Sequence, residues 1–297
     1  MGPQKYLRRS LETVCGELEF DLCPATLSRL LYELGYRLRV NEKSVAGPPH
    51  PDRDRQFLYL QEQLVEFLDA DLPVISVDTK KKELVGNFKQ PGRKWECEPE
   101  PVNDHDFPSD AIYKAVPYGV YDILHNRGYV TVGVSHDTPA FAVSAIAGWW
   151  TRFGCKRYRG AEELLILADS GGSNGCRPRL WKTALQRQLA DRYGLDVTVC
   201  HYPRGASKYN PIEHRLFGPI SINWAGQPLR TLDILLQCIA GVRTNTGLRA
   251  DVHFDPRDWE AGVKITAEQM ATLNLHRHDV CPDWNYTIKP RQHHQLN

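Results

Sequence analysis

Hydrophobic residues along the chain follow two patterns, one typical of amphipathic helices and one typical of buried strands. Helical spacing of apolar residues covers 7–35 (as two short helices), 55–69, 138–153, 180–193 and a segment that begins at Asn210. Short apolar runs predict strands at 74–78, 119–124, 129–134, 164–168 and 196–201, with 125–128 as a hairpin loop. This order predicts a mixed α/β sheet in which a two-strand hairpin is followed by parallel strands joined by helices.

The N-terminal helices are separated by a short connection, which is compatible with a helix-turn-helix unit. The second helix of such a unit enters the DNA major groove, and here it would present Thr26, Ser28 and Arg29. A helical hairpin that packs on the main domain is an equally good interpretation. We divide the chain into this segment (1–39), a Pro- and Gly-rich linker with a helix (40–70), a main domain (71–290) and a polar tail read as disordered (291–297).

Three acidic residues stand in settings that suit a metal site. Asp78 ends the apolar run VISVD, Asp169 ends LLILAD, and Glu213 lies in YNPIEHRLF at a predicted helix start. The carboxyl ends of neighbouring parallel strands share one edge of a sheet, where open α/β proteins place their sites. Carboxylate oxygens suit Mg²⁺, and a pair of such ions can drive phosphoryl transfer.

Each acid also has a plain structural explanation. Asp78 could initiate a turn, and Asp169 could form an Asx-turn in the Gly-rich segment that follows it. Glu213 could complete a capping box with Asn210. Nearby positive charge favours a site for a polyanion over these alternatives, although the lysines could also be a solvated surface run. The cations concerned are Lys80, Lys81, Lys82, Arg204, Lys208 and, if protonated, His214.

Composition narrows the class of protein without identifying it. The chain is 41% hydrophobic and 25% charged with a net charge of +1, so any nucleic-acid binding must come from local patches. Its eight cysteines form no C-x-x-C pair and are interpreted as reduced thiols of a cytosolic protein. The longest apolar stretch is too short to span a membrane. A zinc site at His276, His278 and Cys281 is conceivable, but the irregular spacing favours a surface loop.

Taken together, the motifs resemble a known family. VISVDTKKKELVGNF, LLILADSGGSNG and HYPRGASKYNPIEHRLF are similar to the three acidic blocks of insertion-sequence DDE transposases of the ISAzo type, the Rhodopirellula-type transposase DDE domain. HPDRDRQF, VPYGVYD, SHDTPAF and WNYTIKP add matches in the same order. The resemblance covers about residues 20–290.

The resemblance implies a ribonuclease H-like fold, with Asp78, Asp169 and Glu213 as catalytic acids that hold two Mg²⁺ or Mn²⁺ ions. Asp78 would bridge both ions, and the other two acids would each complete one coordination sphere. A water activated by the ions would cut the transposon end, and the 3′-hydroxyl would then attack target DNA. His136, Asp137 and His214 are second-rank candidates near the cleft.

The implied partners are transposon-end and target DNA, with a homo-oligomer assembling on the DNA and no membrane. The implied location is the bacterial cytoplasm, at the nucleoid when DNA is bound. Family members carry more sequence before the helix-turn-helix-like segment, so we expect that segment to be incomplete here. Two alternatives remain open: a metal-dependent nuclease that cuts without joining, and an inactive DNA-binding remnant.

Overall fold

The computed structural model describes residues 10–38 and 50–291. By its internal contacts the chain divides into two compact units, 1–48 and 49–297. The start of the predicted first helix (residues 7–9), most of the predicted linker and residues 292–297 of the predicted tail lie outside the described residues. Arg291, the first residue of that tail, is described, and its guanidinium donates to Asp191 Oδ2.

The first unit contains the two predicted helices, α1 (Leu11–Glu17) and α2 (Pro24–Glu33). Ser10 caps α1 by accepting a hydrogen bond from the backbone N–H of Thr13 at 3.2 Å. Gly35 follows α2 with a φ of +84°, the left-handed conformation that commonly ends a helix. None of the described residues of this unit is buried, so residues 10–38 contain no hydrophobic core of their own.

The second unit is built from alternating strands and helices. Its strands are β1 (Val74–Thr79), β2 (Glu83–Val85), β3 (Tyr113–Asp122), β4 (Arg127–Gly133), β5 (Glu163–Asp169), β6 (Asp196–Tyr202), β7 (Arg249–Asp255), β8 (Leu275–Arg277) and β9 (Asn285–Ile288). Its α-helices are α3 (Arg53–Asp69), α4 (Pro139–Trp149), α5 (Cys155–Arg157), α6 (Arg179–Leu185), α7 (Asp191–Tyr193), α8 (Gly218–Asn223), α9 (Leu232–Ala240) and α10 (Ala267–Ala271). Three π-helical turns continue these helices: Trp150–Gly154, Gln186–Ala190 and Glu213–Phe217.

The strands form one mixed sheet in the order β7-β4-β3-β1-β5-β6-β9-β8, with β2 attached to β3. Strands β1, β5 and β6 are parallel, and β3 is antiparallel to both β1 and its hairpin partner β4. This central arrangement confirms the predicted mixed α/β sheet. Strands β7, β8 and β9 were not predicted; they extend the sheet at both edges.

Helices cover both faces of the sheet because successive strand residues point to opposite sides. In β5, Leu164 and Ile166 pack in the large core beneath α4 and α6, whereas Leu165 and Leu167 pack with residues of α3. A further core joins β3, β4 and β7 to α8 and α9. The acids that end β1 and β5 are thus carried by strands buried on both faces.

The hairpin differs in detail from its prediction. The loop is residues 123–126, with Asn126 at φ +50°, and Gly128 lies inside β4. Gly128 is required by packing, since a Cβ at this position would collide with Leu216 Cδ1. A glycine next to Asn and Arg is typical of a turn, so local sequence alone misplaced the loop by two residues.

The structure joins none of the eight cysteines in a disulfide. Within the described residues, no helix has both the length and the apolar character needed to cross a bilayer.

Candidate active site

Strands β1 and β5 place Asp78 and Asp169 side by side. The parallel register pairs Val77 with Ala168, and the two acids are the next residue on each strand. Adjacent strands lie about 4.8 Å apart, so the two backbones hold these carboxyl groups close together. This adjacency was predicted from the two apolar runs, and it puts both acids at one edge of the sheet.

Asn210 ties the helical segment at 211–223 to both strands. It is fully buried; its Nδ2 donates to Asp169 Oδ1 at 3.1 Å, and its Oδ1 accepts from Ser76 Oγ at 2.5 Å. Ser76 Oγ in turn accepts from the backbone N–H of Ile212 at 3.0 Å. The capping-box alternative for Asn210 and Glu213 is therefore wrong. The side chain of Asn210 bonds to the strands, and the cap comes from the serine of β1.

Beside these acids lies a cavity of about 380 Å³, here called the acid pocket. Its lining comes from the end of β1, the segment after β4 and the loop after β5: Asp78, Thr79, Lys80, Lys81, Lys82, Asp137, Asp169, Gly171, Gly172, Ser173 and Asn174. Glu213 is outside this lining. Among residues 10–38 and 50–291, no three His, Cys, Asp or Glu side chains already stand in an arrangement that would hold a metal ion.

The acids nevertheless influence one another strongly. The pKa of Asp78 is raised to about 8 by burial, by the charge of Asp169 and, more weakly, by the charges of Glu213 and Asp137. A hydrogen bond from Thr79 N, at 2.8 Å, lowers the pKa in part. Burial also raises the pKa of Asp169. Burial of both carboxyl groups, together with the charge of Asp169 beside Asp78, therefore disfavours their simultaneous ionisation.

Glu213 belongs to the same electrostatic group although it does not line the pocket. Burial and the charge of Asp169 raise its pKa, while Lys80 and His214 lower it. It begins a π-helical turn, a rare feature that is frequent at functional sites. The third predicted acid thus stands near the pair without meeting it in a common cavity.

Asn174 is a site residue that sequence reasoning missed. It is 1% exposed and lines the acid pocket, yet neither its Oδ1 nor its Nδ2 has a hydrogen-bond partner in the described part of the chain. A buried polar group without a partner costs about 1–3 kcal/mol. Asparagine in a Gly-Ser loop is ordinary turn chemistry, so no local signal marks it.

His201 is a second missed residue. It is fully buried on β6; its Nδ1 lies 2.9 Å from the backbone oxygen of Asp169 and its Nε2 lies 3.2 Å from the Tyr286 hydroxyl. Since a carbonyl oxygen only accepts, Nδ1 carries the proton and Nε2 accepts from the tyrosine. Burial lowers the pKa of His201 to about 4, so this neutral ring fixes the end of β5 at physiological pH.

The second-rank candidates differ in whether they line the acid pocket. Asp137 lines the acid pocket and accepts a hydrogen bond from Thr79 Oγ1 at 3.2 Å. His136 is exposed and does not line the pocket. His214 is exposed, and its Nε2 donates to the backbone oxygen of Lys208 at 2.6 Å.

The three lysines of the predicted run differ in their exposure to solvent. Lys80 is buried, with its Nζ 3.4 Å from Glu83 Oε1 and 4.6 Å from the centre of the Trp224 ring. Lys81 and Lys82 are exposed at the mouth of the acid pocket. Any contact of this run with DNA is therefore expected from the second and third lysines.

The remaining predicted DNA contacts lie elsewhere. Arg204 and Lys208 are exposed after β6, and Arg204 lines a cavity other than the acid pocket. On α2 of the first unit, Thr26 Oγ1 lies 3.1 Å from Cys23 Sγ, and Arg29 lies 4.0 Å from Glu33. Ser28 is half-buried on the same helix.

The conceivable zinc site is absent from the described residues. His278 Nδ1 lies 2.6 Å from the Tyr59 hydroxyl and its Nε2 lies 2.9 Å from Thr287 Oγ1, so both ring nitrogens are engaged. His276 Nε2 lies 2.8 Å from Asn274 Oδ1. These hydrogen bonds explain the histidines as structural residues of β8 and the segment that follows it.

A family model described as the Rhodopirellula transposase DDE domain matches residues 1–290. No curated protein matches the chain. Among solved structures, the Mos1 transposase paired-end complex with left transposon end matches with a TM-score of 0.47 and 14% identity, over 76% of this chain and 64% of that one. The Mos1 mariner paired end complex with Mn matches with a TM-score of 0.44 and 13% identity, over 78% and 70%. The chain thus spans 64% of the length of the first of these structures.

Proposed function

The chain belongs to the Rhodopirellula transposase DDE-domain family, and on that premise we propose that it cleaves DNA strands at transposon ends and transfers them into target DNA. The acid pocket is the proposed active site; the proposed catalytic acids are Asp78 and Asp169 in its lining and Glu213 outside it. The observation that carries the proposal is the adjacency of Asp78 and Asp169 on paired parallel strands, where both acids line one cavity.

The residues of the pocket fit divalent cations. Neither Asp78, Asp169 nor Glu213 forms an ion pair with a Lys, Arg or His among the described residues, and their oxygens are the ligands that Mg²⁺ and Mn²⁺ prefer. The unpartnered amide oxygen of Asn174 adds a neutral oxygen donor. We propose that Asp78, Asp169 and Glu213 would hold two such ions. When bound, they neutralise the clustered charge and activate the attacking oxygen.

The protein's own contribution is positioning. Asn210 holds one oxygen of Asp169, and the backbone N–H of Thr79 holds one oxygen of Asp78, so both carboxylates keep a defined orientation. The loop after β5 leaves room for a phosphate because a Cβ at Gly171 or Gly172 would meet no atom within 4 Å. At Gly172 the φ of +72° favours glycine in any case.

The proposed substrates and partners are transposon-end and target DNA, on which copies of the chain assemble in the cytoplasm. Lys81 and Lys82 at the mouth of the acid pocket supply positive charge for a phosphodiester backbone. The same acids would serve a nuclease that does not join strands, so the assay has to score cleavage and joining separately.

The test uses the full chain with duplexes copied from the DNA that flanks its coding sequence, in Mg²⁺ or Mn²⁺. We expect strand cleavage on intact duplexes and joining to a plasmid when the duplex is supplied with a free 3′-hydroxyl. Asp169→Asn should abolish both reactions. Cleavage without joining would support the nuclease alternative, and activity retained by Asp169→Asn would overturn the proposed site.

Glu163→Gln is the matched control, since Glu163 is exposed at the other end of the same strand. It should leave both reactions unchanged. Glu213→Gln tests the third acid separately: full activity in this variant would remove Glu213 from the site while leaving the aspartate pair in place.

A further inference from the structure

A second cavity, of about 670 Å³, carries a concentration of positive charge that the acid pocket does not explain. Five cations line it, with one acid, Asp283: Arg177, Arg179, Lys182, Arg204 and Arg277. We call it the basic cavity. The chain as a whole has a net charge of only +1, so five cations with a single acid are a local excess.

Most of this charge is not neutralised by acids. Arg277 is paired with Asp283 at 2.7 Å, whereas Arg179 donates to the backbone oxygen of Ile265 and Lys182 to that of Cys176. Arg177 and Arg204 are exposed, and neither makes a hydrogen bond or an ion pair within the described residues. Two guanidinium groups are therefore free to bind an anion.

The basic cavity lies on the same sheet edge as the acid pocket. Arg177 is three residues after Asn174 of the acid pocket, a separation of at most about 10 Å of extended chain. Arg204 is two residues after Tyr202, which pairs with Asp169 in the β5–β6 register. A strand of nucleic acid seated in the acid pocket would reach these arginines within a few nucleotides.

The basic cavity, of about 670 Å³, is larger than the acid pocket, of about 380 Å³. Its cations also come from three separate chain segments, around residues 177–182, 204 and 277. Such a distribution matches a chain of phosphates better than a single one.

We propose that the basic cavity binds successive phosphates of the DNA strand that runs through the acid pocket, with Arg177 and Arg204 as direct contacts. This inference rests on the proposed function for the identity of the strand. It goes beyond that function by assigning a second binding site, in which only Arg204 was expected from the sequence to contact DNA.

The test measures DNA affinity without chemistry. A fluorescein-labelled 30-base-pair duplex is titrated with full-length protein in EDTA, at several NaCl concentrations between 50 and 200 mM. Each lost phosphate contact flattens the plot of log affinity against log salt by about 0.9. Arg177→Gln/Arg204→Gln should therefore bind more weakly at low salt, with a slope lower by about 1.8.

The matched control is Arg159→Gln/Arg249→Gln, which removes the same charge from two exposed arginines near the opposite sheet edge, one before β5 and one at the start of β7. It should leave the slope close to that of the wild type. Equal slopes for the two double variants and the wild type would overturn the inference. Displacement of the duplex by 10 mM inorganic phosphate at constant ionic strength would also overturn it, since the cavity would then be a small-anion site.

These outcomes are independent of the catalytic proposal. Binding in EDTA does not require metal ions, so loss of cleavage in Asp169→Asn with an unchanged slope in Arg177→Gln/Arg204→Gln would refute only the basic cavity. A flattened slope together with cleavage that survives Asp169→Asn would refute only the proposed active site.

Discussion

Two aspartates on paired strands of this sheet differ in the groups that surround their carboxylates. Asp122, at the end of β3, is fully buried and accepts hydrogen bonds from the Tyr158 hydroxyl at 2.7 Å and from Arg157 at 3.1 Å. Asp78, near the end of β1, accepts one hydrogen bond, from the backbone N–H of Thr79, and has a second carboxyl group beside it.

This contrast separates a structural acid from the acid that we propose to be catalytic. Asp122 has a cation and a hydroxyl at hydrogen-bond distance, so its charge is compensated inside the protein. Asp78 has no cation at hydrogen-bond distance among the described residues, although three lysines line the same pocket. The two also differ in burial, since Asp122 is fully buried and Asp78 is half-buried, but the hydrogen-bond partners differ more.

The largest expected effect is loss of activity in Asp78→Asn. Removing this carboxylate should lower metal-dependent strand cleavage on the order of 10³-fold, the scale of losing one electrostatic contribution to a transition state. DNA affinity in EDTA should change little. The measurement is a cleavage time course beside an anisotropy titration, and cleavage within tenfold of the wild type would refute the functional assignment of Asp78.

Asp122→Ala should act on stability instead. It leaves Arg157 without its partner beside a new cavity, and breaking a buried pair in this way costs about 3–5 kcal/mol. Urea unfolding should therefore show a lower midpoint with a similar slope. Cleavage per folded molecule should stay near the wild-type value; a selective loss of cleavage in the folded fraction would mean that Asp122 also serves the site.

From the sequence, the predictable features of this contrast were those that lie within one continuous segment of the chain. VISVD and LLILAD are apolar runs with an acid at the end, so the pairing of Asp78 and Asp169 followed from strand order. The strand pattern around Asp122 predicted no partner for it. Arg157 and Tyr158 come from 35 and 36 residues further along the chain, and only the fold brings them together.

Tertiary contacts also decided the details of the candidate site. Asn210 looked like a helix cap, but its amide is used between Ser76 and Asp169, which no local pattern indicates. Asn174 looked like a turn residue, and its burial depends on how the loop after β5 folds back over the acid pocket. Strand β9 is four residues long and pairs with β6 from 83 residues away, so its place in the sheet could not be read from periodicity.

The acid pocket should also make stability depend on pH in the metal-free protein. The pKa of Asp78 is raised to about 8, above its unfolded value near 4, so between these limits the folded state holds a proton that the unfolded state has lost. The free energy of unfolding should therefore fall as the pH rises from 5 to 8, on the order of 2 kcal/mol and below the limit of about 1.4 kcal/mol per pH unit for one proton.

Asp78→Asn supplies the comparison for this measurement, which is urea unfolding in EDTA at several pH values. The variant should lack this part of the pH dependence and be more stable than the wild type at pH 8. Parallel pH profiles for the two proteins would show that Asp78 ionises normally in the fold, and the contrast with Asp122 would then lose its electrostatic basis.

Two buried asparagines, which carry no charge, differ in their hydrogen-bond partners as the two aspartates do. Substituting them should give the smallest effect. Asn285 is fully buried and its amide is bonded to Gln56 and to the backbone oxygen of Val280, whereas the amide of Asn174 has no partner in the described residues. Asn285→Ala should lower the free energy of unfolding by about 1–3 kcal/mol because it leaves buried hydrogen-bond partners unpaired. Asn174→Ala leaves no partner unpaired, so the free energy of unfolding of the metal-free protein should stay the same or rise by about 1 kcal/mol.

Cleavage should still decrease in Asn174→Ala, since the amide is placed to meet a ligand. Equal destabilisation by the two substitutions would show that Asn174 is a structural residue like Asn285, and the acid pocket would lose its neutral oxygen donor.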